Sequence, residues 1–560
     1  MHVLSAAEMQ TCDRITTERF GVSSIELMRA ASAAVAAFAR QQFPQAKRVT
    51  ILCGRGNNGG DGMMAARLLA ASGLEVTVLL LGSPDSLKSD AAQAWHELKS
   101  STNLQIHVIH SAEELTRHNG ALDADLMIDA VLGTGFKPPI KGLALASLEW
   151  LTESQSKTQT PVLAIDLPSG WQADSTSATP ADSVFPADAV ITFTAPKPAH
   201  LFGQLTRRWD QSVGVAQIGS PAEAITAALD ANSPRYNWTG SALALTQIPR
   251  AVASNKGNFG HVLVVGGTFG SAGGKAGAPA MAALAALRAG AGLVTAAVPA
   301  PALAVVSSIA PELMTHSLSA TATGCIATEN LATDLLAALT AGKTVLAIGP
   351  GLGQTPESAK FTIGLLAATK IPAVIDADAL NILAARPSLL SELAKSRKIV
   401  LTPHPGEMAR LTGISIAEVQ ANRLEVARGF AQRHGVTVVL KGARTIVAHP
   451  DGRLSVNTTG NPAMAKGGSG DLLTGLIAGL LAQHPTDPAH AIEAAVYLHG
   501  LAADLAVRAA DQHTLLATDT LAFLPRAFRS PDFHFHAGGN NRYIWLQGLP
   551  PEPFAGHELP

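Results

Sequence analysis

Hydrophobic residues in the first part of the chain occur in short continuous runs, and each run ends in a loop that contains glycine or aspartate. Continuous runs, unlike alternating polar and apolar positions, are typical of strands that are covered on both faces of a parallel sheet. Helical patterns follow the runs, which predicts a doubly wound α/β architecture. The runs are RVTILCG (48–54), EVTVLLLG (75–82), LMIDAVLG (126–133), PVLAIDLPSG (161–170) and DAVITFTAP (188–196).

The pattern lapses over 220–250, where prolines and polar residues replace the apolar runs, and we place a linker or boundary there. This predicts one α/β domain over 1–219 and a second over 251–530. The stretch 531–560 is rich in Gly, Pro, His and Asn without periodicity, which predicts a mobile tail. The runs of the second domain are HVLVVGG (261–267), TVLAIGPGLG (344–353), PAVIDADALN (372–381), KIVLTPHPGE (398–407) and VTVVLKGARTIVAHP (436–450).

Composition narrows the classes of function. The 560 residues are 47% hydrophobic and 15% charged, with a formal net charge of −2. This balance offers no basic surface for nucleic acid or an anionic membrane, and no apolar stretch is long and unbroken enough to span a bilayer. The cysteines at 12, 53 and 325 have neither disulfide nor zinc spacing. The N-terminus lacks the pattern of a secretory signal, so we expect a cytoplasmic protein that binds small molecules.

The loop after the first predicted strand has the Gly54-x-Gly56-x-x-Gly59 spacing of a dinucleotide-binding fingerprint. A dehydrogenase of that type also needs an acidic residue at the end of the second strand, about 20 positions further on, to bind the ribose hydroxyls. Here the second strand ends in glycine and serine, and Asp85 comes too late. The glycine spacing therefore does not support hydride transfer.

Polar side chains cluster after three of the predicted strands. Ligands of open parallel sheets bind outside the carboxyl ends of the strands, and glycine-rich loops there can direct backbone amides at an anion. In any single loop, helix caps and tight turns are the better explanation, but three such loops together indicate a site. Asn58, Asp129 and Ser169 offer hard oxygen ligands, which suit potassium, sodium or magnesium better than zinc.

The motifs GRGNNGGDG, DAVLGTGF and IDLPSGW resemble the N-terminal domain of the NAD(P)H-hydrate repair enzymes, which is their epimerase half. The resemblance spans most of 1–219 and implies a Rossmann-like three-layer sandwich that interconverts the R and S epimers of NAD(P)H hydrate. It also implies a potassium site formed by Asn58, Asp129 and Ser169. The residues that it implies for the hydrated dinucleotide are Asn57, Asn58, Gly59, Gly60, Asp61, Gly133, Thr134, Gly135, Phe136, Lys137, Pro138, Pro139 and Asp166.

Asp166 is the candidate catalytic residue of this half. Hydration leaves a hydroxyl group on carbon 6 of the nicotinamide ring, next to the ring nitrogen. The nitrogen lone pair makes loss and return of that hydroxyl feasible, which scrambles the stereocentre. We hypothesise that Asp166 moves the proton, first as general acid and then as general base.

The motif KGGSGDLLTG carries the chemistry of the second half. Its glycines, Gly467, Gly468 and Gly470, allow backbone amides to converge as a helix begins at Asp471. Such a nest stabilises the negative charge of a transferring phosphate, and Asp471 is placed to take a proton from a substrate hydroxyl. The alternative is a glycine loop with Asp471 as a helix cap. A nest that opens a long apolar helix favours the catalytic interpretation.

Together with GPGLG, TPHPGE and LKGARTIV, this motif resembles the ribokinase-like superfamily and, within it, the ADP-dependent NAD(P)H-hydrate dehydratases. The resemblance implies a ribokinase-like domain that dehydrates the S epimer to NAD(P)H and converts ADP, with magnesium, into AMP and phosphate. Asp376 and Asp378 either contact magnesium or cap strand ends, and we prefer the second. The resemblance assigns Ala278, Gly351 or Gly353, His404 and the catalytic Asp471 to the hydrated dinucleotide, and Lys441, Gly442, Ala443, Arg444, Thr445 and Gly470 to the adenine nucleotide.

Two other functions stay open at this point. A ribokinase-like small-molecule kinase would release a phosphorylated alcohol, and the first half would then be a non-catalytic ligand-binding or scaffold domain. The acids after three strands argue against a scaffold. We expect a homo-oligomer, whereas the preference between the NADH and NADPH hydrates is not determined by the sequence.

Overall fold

The chain divides into two compact units, Met1–Pro234 together with a C-terminal strand, and a second unit that begins at Arg235. The division lies inside the stretch 220–250 that was predicted as a linker, and this stretch contains a helix and a strand. The computed structural model describes residues 1–101, 104–231, 234–271, 273–529 and 543–549, without the side chains of 154–158.

The first unit is built on a parallel sheet whose central strands are buried at every position, as their continuous apolar sequences require. Its strands are β1 (Arg48–Cys53), β2 (Glu75–Leu81), β3 (Leu104–Ile109), β4 (Leu126–Ala130), β5 (Val162–Ile165), β6 (Ala189–Phe193) and β7 (Ser212–Ala216). They lie in the order β3-β2-β1-β4-β5-β6-β7, so the order reverses between β1 and β4.

Helices cover both faces of this sheet and complete three layers. The helices are α1 (Ala6–Phe20), α2 (Ser24–Gln42), α3 (Asn57–Ala71), α4 (Ser89–Lys99), α5 (Ala112–Arg117), α6 (Gly142–Thr158), α7 (Pro198–Phe202) and α8 (Ala222–Ala228). One core joins α2, α3 and α4 to one face of the sheet, and a second joins α5 and α6 to the other. The predicted Rossmann-like three-layer sandwich is confirmed.

The second unit has a ten-stranded mixed sheet. Its strands are β8 (Tyr236–Trp238), β9 (His261–Val265), β12 (Leu293–Pro299), β13 (Met314–Leu318), β14 (Val345–Ile348), β15 (Ala373–Ile375), β16 (Ile399–Leu401), β17 (Thr437–Leu440), β18 (Ile446–Ala448) and β19 (Leu454–Val456), beside a separate hairpin of β10 (Phe269–Gly270) and β11 (Gly273–Gly274). The order is β13-β12-β9-β14-β15-β16-β17-β18-β19-β8, and the strands from β13 to β17 in that order are parallel.

Helices again cover both faces, and the predicted second doubly wound α/β domain is confirmed. They are α9 (Gly277–Arg288), α10 (Leu303–Ser307), α11 (Thr333–Thr340), α12 (Pro356–Ala368), α13 (Ala377–Ala384), α14 (Ser388–Ala394), α15 (Pro405–Thr412), α16 (Ile416–Ala421), α17 (Arg423–His434), α18 (Ser469–Gln483), α19 (Pro488–Ala509) and α20 (Thr520–Phe528). Helices α12 to α17 share one core with the sheet, whereas α9 and α18 pack together and against its central strands. No helix within the described ranges is long and apolar enough to cross a membrane.

A strand near the C-terminus, β20 (Tyr543–Gln547), pairs antiparallel with β7 at the edge of the first unit's sheet. Tyr543 and Trp545 pack against Phe38 of α2: the ring centroid of Phe38 lies 5.6 Å from that of Tyr543 and 5.3 Å from that of Trp545. The Tyr543 hydroxyl donates to the carbonyl of Ala34 at 2.9 Å. The predicted mobile tail over 531–560 is therefore wrong for these five residues, because two aromatic side chains are buried against a sheet edge. The other residues of that stretch, apart from 548–549, lie outside the described residues.

We expect the Trp545→Ala variant to destabilise the first unit by about 3–5 kcal/mol, because truncation of a buried tryptophan leaves a cavity against Phe38. Chemical denaturation, monitored by hydrogen exchange of the β7 amides, measures this decrease in the free energy of unfolding. Phe20→Ala in the same unit is the matched control, since the Phe20 side chain is 45% exposed. Equal stability of the two variants would contradict a structural role for β20.

Candidate active sites

The loops after β1, β4 and β5 meet where the strand order of the first unit reverses. Gly54 approaches the next loop so closely that a Cβ atom on it would lie 2.0 Å from the carbonyl oxygen of Val131. A Cβ atom on Gly59 would lie 1.9 Å from the carbonyl oxygen of Gly54. The fingerprint-like spacing of these glycines therefore allows close backbone packing at the switch point of the sheet, which is where ligands bind in open α/β folds.

A cavity of about 810 Å³ opens at this switch point. Gly59 and Gly60 do not line it: they lie where α3 packs against the Gly54 backbone and the Met28 side chain. Lys137, Pro138 and Pro139 continue the loop beyond the cavity lining. The predicted substrate residues that do line it are Asn57, Asn58, Asp61, Gly133, Thr134, Gly135, Phe136 and Asp166.

Asp166 is a fixed carboxylate in the wall of this cavity. Its Oδ2 accepts hydrogen bonds from the backbone amide of Thr134 at 2.9 Å and from the Thr134 hydroxyl at 2.7 Å. Its Oδ1 accepts from the hydroxyl of Thr192 at 2.8 Å and from the ammonium of Lys197 at 3.0 Å. Burial alone would raise the pKa of Asp166, but Lys197, His200 and these hydrogen bonds hold it well below its usual range. Asp166 is thus ionised, which suits electrostatic stabilisation and not proton donation.

Lys197 is the main residue of this site that our sequence reasoning missed. Its side chain is 2% exposed, and its ammonium group also donates to Thr192 at 2.7 Å. A signal for it existed, because Lys197 follows β6 and so lies at the same rim as the three predicted loops. Asp13 of α1 also lines the cavity, but no sequence pattern connects that helix to the strand ends.

Two of the three predicted potassium ligands, Asn58 and Ser169, contact the backbone carbonyl of Leu132, and the third, Asp129, contacts Ser169. Asn58 donates to this oxygen from Nδ2 at 3.0 Å, and the Ser169 hydroxyl lies 3.3 Å from it. The Ser169 hydroxyl also donates to Oδ1 of Asp129 at 2.6 Å. Burial raises the pKa of Asp129 to about 6, and no described cation contributes to holding its charge. A buried carboxylate without a cation, beside hydroxyl and carbonyl oxygens, fits a hard monovalent cation.

The loops of the second unit also converge at the carboxyl rim of its sheet. Gly351 follows β14 and packs closely against the loop before α9. A Cβ atom on Gly351 would lie 2.5 Å from the carbonyl oxygen of Lys275 and 3.2 Å from the Cβ of Ala278. The backbone amide of Gly353 donates to Oδ2 of Asp378 at 2.8 Å. Three residues predicted for the hydrated dinucleotide, Ala278, Gly351 and Gly353, thus belong to one cluster of loops.

The glycine nest lies beside this cluster at the start of α18, which begins at Ser469, two residues earlier than predicted. A Cβ atom on Gly470 would lie 3.3 Å from the ammonium of Lys441. Asp376 accepts from that ammonium at 2.8 Å and from the Thr474 hydroxyl at 2.7 Å. Asp376 and Asp378 thus both contact donors from other loops, and whether they cap strand ends or contact magnesium stays a prediction.

Asp471 lies among these charges. Burial and then the charge of Asp376 raise the pKa of Asp471 to about 6, while Lys441 and Lys275 lower it. Lys275 belongs to the loop that contacts Gly351, so the charges that act on Asp471 include one from the loop before α9. A carboxyl group with this pKa is ionised at neutral pH and basic enough to accept a proton, as a general base requires.

His404 and the loop after β17 complete the rim. The Nδ1 atom of His404 accepts from the backbone amide of Gly406 at 3.0 Å and caps α15, while its side chain stays half exposed. The loop holds Lys441, Gly442, Ala443, Arg444 and Thr445, in which Gly442 and Ala443 are exposed. Arg444 instead donates from its guanidinium to the carbonyl of Thr458 at 3.2 Å. Its side chain therefore anchors the loop, while Gly442 and Ala443 stay exposed.

The two units thus define a fusion of two doubly wound α/β domains, each with acidic side chains and glycine loops at the carboxyl rim of its sheet. Family models match both parts of the chain: one described as YjeF-related protein N-terminus over residues 24–199, and one described as NAD(P)H-hydrate dehydratase over 262–526.

Proteins named bifunctional NAD(P)H-hydrate repair enzyme Nnr are similar over nearly the whole chain. The protein of Moorella thermoacetica is 40% identical over 95% of this chain and 97% of its own length. The Coxiella burnetii protein is 36% identical over 92% of this chain and 97% of its own length. The Escherichia coli protein is 36% identical over 93% of this chain and 93% of its own length. The chain belongs to the family of bifunctional NAD(P)H-hydrate repair enzymes.

A solved structure, the ADP/ATP-dependent NAD(P)H-hydrate dehydratase of Bacillus subtilis co-crystallised with ATP and Mg²⁺, is 34% identical. It covers 54% of this chain and 99% of its own, with a TM-score of 0.45.

Proposed function

We propose that this chain repairs hydrated nicotinamide dinucleotides at two sites. The first unit interconverts the R and S epimers of NAD(P)H hydrate, and the second dehydrates the S epimer to NAD(P)H while ADP becomes AMP and phosphate. One observation carries the proposal: this family member has a suitable acid in each unit. Asp166 is ionised in a cavity at the sheet rim of the first unit, and Asp471 lies beside a glycine nest at the sheet rim of the second.

The test uses the full chain with a mixture of both epimers, magnesium and ADP. Recovery of absorbance at the reduced-nicotinamide band, with one AMP and one phosphate per NAD(P)H, is expected. Omission of ADP should leave only exchange between the epimers. Release of a phosphorylated alcohol without recovery of NAD(P)H would identify a small-molecule kinase and overturn the proposal.

In the first unit, the fixed carboxylate of Asp166 is suited to stabilise positive charge. When the C6 hydroxyl departs, the lone pair of the ring nitrogen forms an iminium cation, and a carboxylate near the ring lowers the energy of that cation. The four donors that hold Asp166 fix its position before the reaction. Return of water to the opposite face of C6 then gives the other epimer.

Potassium, when bound by Asn58, Asp129 and Ser169, would supply positive charge beside the dinucleotide loops. We expect replacement of potassium by tetramethylammonium to slow epimer exchange, and the Asp129→Asn variant to bind potassium about 10-fold or more weakly, because a buried anionic ligand is lost. Titration of exchange rate with KCl measures both effects. Asp123→Asn, which changes an exposed acid of the same unit, is the control. Potassium dependence that is the same in both variants would refute the site.

In the second unit, Asp471 deprotonates the C6 hydroxyl, which attacks the β-phosphorus of ADP and releases AMP. The amides at the start of α18 and the ammonium of Lys441 lie beside Gly470 and stabilise the transferring phosphoryl group. The C6–O bond then breaks with phosphate as the leaving group, the nitrogen lone pair forms the iminium, and loss of a proton from C5 restores the reduced ring.

The pH dependence of dehydration follows from Asp471. A general base works only when ionised, and the pKa of Asp471 is raised to about 6. We therefore expect kcat/KM to be level above that pH and to fall about tenfold per pH unit below it. The Lys441→Met variant should move the inflection upward, because Lys441 lowers the pKa of Asp471. A profile without an acidic limb would exclude Asp471 as the base.

A homo-oligomer and a cytoplasmic location stay predictions. Size-exclusion chromatography with light scattering tests the first, and fractionation of the producing cells tests the second.

A further inference from the structure

The cavity of the first unit holds a carboxyl group that the mechanism above does not use. Asp61 lies in the first turns of α3, one helical turn after Asn57, and both side chains line the cavity. Asp166, in the same cavity, has both oxygens occupied by four donors, so it has no proton to give. Departure of the C6 hydroxyl needs a proton, because hydroxide is a poor leaving group. The proton must therefore come from another group in the cavity.

The surroundings of Asp61 differ from those of Asp166 in the sign of the nearby charge. Burial raises the pKa of Asp61 well above its usual range, and the carboxylates of Asp166, Asp13 and Asp90 raise it further. No described cation contributes to its charge, whereas Asp166 has Lys197. Asp61 is half-buried, and the charges that act on it most are those of carboxylates, so its neutral form is favoured. Of these two acids, Asp61 is therefore the one placed to give a proton, because Lys197 holds Asp166 ionised.

We propose that Asp61 is the catalytic acid and base of epimerisation. The inference rests on the proposed epimerase function of the first unit and names the proton-transfer residue. Asp61 donates its proton to the C6 hydroxyl, the C6–O bond breaks, water departs, and the nitrogen lone pair forms the iminium. Water then adds to the opposite face of C6, the iminium electrons return to nitrogen, and the ionised Asp61 takes the proton that the water loses. Atoms and charge balance over the cycle, and nothing is oxidised.

Asp13 acts through Asp61 as a positioning residue. It reaches the cavity from α1, and its charge helps to keep Asp61 protonated. Its own pKa is raised to about 6 by burial, against the charge of Lys197, so it is ionised at neutral pH. The charged groups that line the cavity are Asp13, Arg14 and Glu18 on α1, Arg55 after β1, Asp61 on α3, Asp90 on α4, Asp166 after β5 and Lys197 after β6.

The experiment measures exchange between separated R and S hydrates by the full chain without ADP, with the spontaneous rate subtracted. Asp61→Asn keeps the size of the side chain but cannot transfer the proton, so we expect kcat to fall about 10²–10³-fold with KM changed little. Asp13→Asn removes a negative charge near Asp61 and should therefore lower the pKa of Asp61. The alkaline decline of the exchange rate should then begin at a lower pH. Asp123→Asn is the control outside the cavity.

Each outcome is decisive. If the unaltered chain does not exchange the epimers, the proposed function itself fails. If the unaltered chain does so and Asp61→Asn retains its kcat, only the role of Asp61 is overturned. Hydrogen exchange of β1 and β4 in the same variant reports whether the first unit is folded. Should Asp61→Asn fail to fold, Asp61→Ala with added formate tests the role again: recovery of exchange between the epimers by formate supports it, and no recovery in a folded protein overturns it.

Discussion

Replacement of Asp471 by asparagine is expected to lower the dehydration rate about 10³-fold, while exchange of the two epimers by the first unit continues unchanged. The reason is that asparagine has nearly the same shape but cannot accept a proton from the C6 hydroxyl. The contacts that build the nest, between Lys441, Asp376 and Thr474, do not involve the Asp471 side chain and should persist.

The measurement is single-turnover recovery of reduced-nicotinamide absorbance with saturating ADP. Asp334→Asn, in the first turn of α11, is the control because the residue is exposed. Exchange between the epimers serves as an internal standard for intact protein. An Asp471→Asn variant that still dehydrates within about tenfold of the normal rate would remove Asp471 from the role of general base.

Replacement of Lys197 by methionine should have the second large effect, on stability and activity together. The Lys197 ammonium is 3.0 Å from Oδ1 of Asp166, and both side chains are buried. Loss of one partner of a buried ion pair leaves an uncompensated charge, which costs about 3–5 kcal/mol. If Asp166 instead binds a proton, the charge that stabilises the iminium disappears, and epimer exchange is lost with it.

Denaturation, monitored by hydrogen exchange of the β5 and β6 amides, measures the stability of the first unit in the Lys197→Met variant. The matched control is Arg208→Met, whose ion pair with Asp210 is exposed and should contribute less than about 1 kcal/mol. The loss of stability in Lys197→Met should become smaller as the pH falls. The depressed pKa of Asp166 stabilises the normal protein only while Asp166 is ionised. In the variant, protonation of Asp166 also removes the unpaired buried charge. A stability equal to that of the control would refute the role of Lys197.

The strands that the sequence predicted correctly are those with buried, continuous runs. Strands β4, β5 and β6 are buried at every position, and each lies inside a predicted run. The edge strand β3 was missed because its sequence, LQIHVI, is only partly buried and mixes polar with apolar residues. Strand β12 was missed because its alanine-rich run cannot be told from a helix by periodicity. The run over 436–450 is a hairpin, β17 and β18, whose turn contains Arg444 with φ of 55°.

Site residues divide in the same manner. Those next to strand ends were found because a parallel sheet brings its carboxyl ends to one rim. There Asn58 and Ser169 contact one carbonyl, and Ser169 also contacts Asp129. Asp13 was not found, because helix α1 reaches the cavity only through the packing of the folded unit.

The sequence by itself determined the two doubly wound domains, the rims at which their polar loops gather, and the family, because apolar runs and glycine motifs are local patterns. Only the tertiary structure decided the protonation state of each carboxyl group and the place of the C-terminal strand. The physical reason is that a pKa depends on burial and on the sign of neighbouring charges: Lys197 lowers the pKa of Asp166, whereas neighbouring carboxylates raise the pKa of Asp61. Those neighbours come from distant segments of the chain, and so does β7, the strand with which β20 pairs.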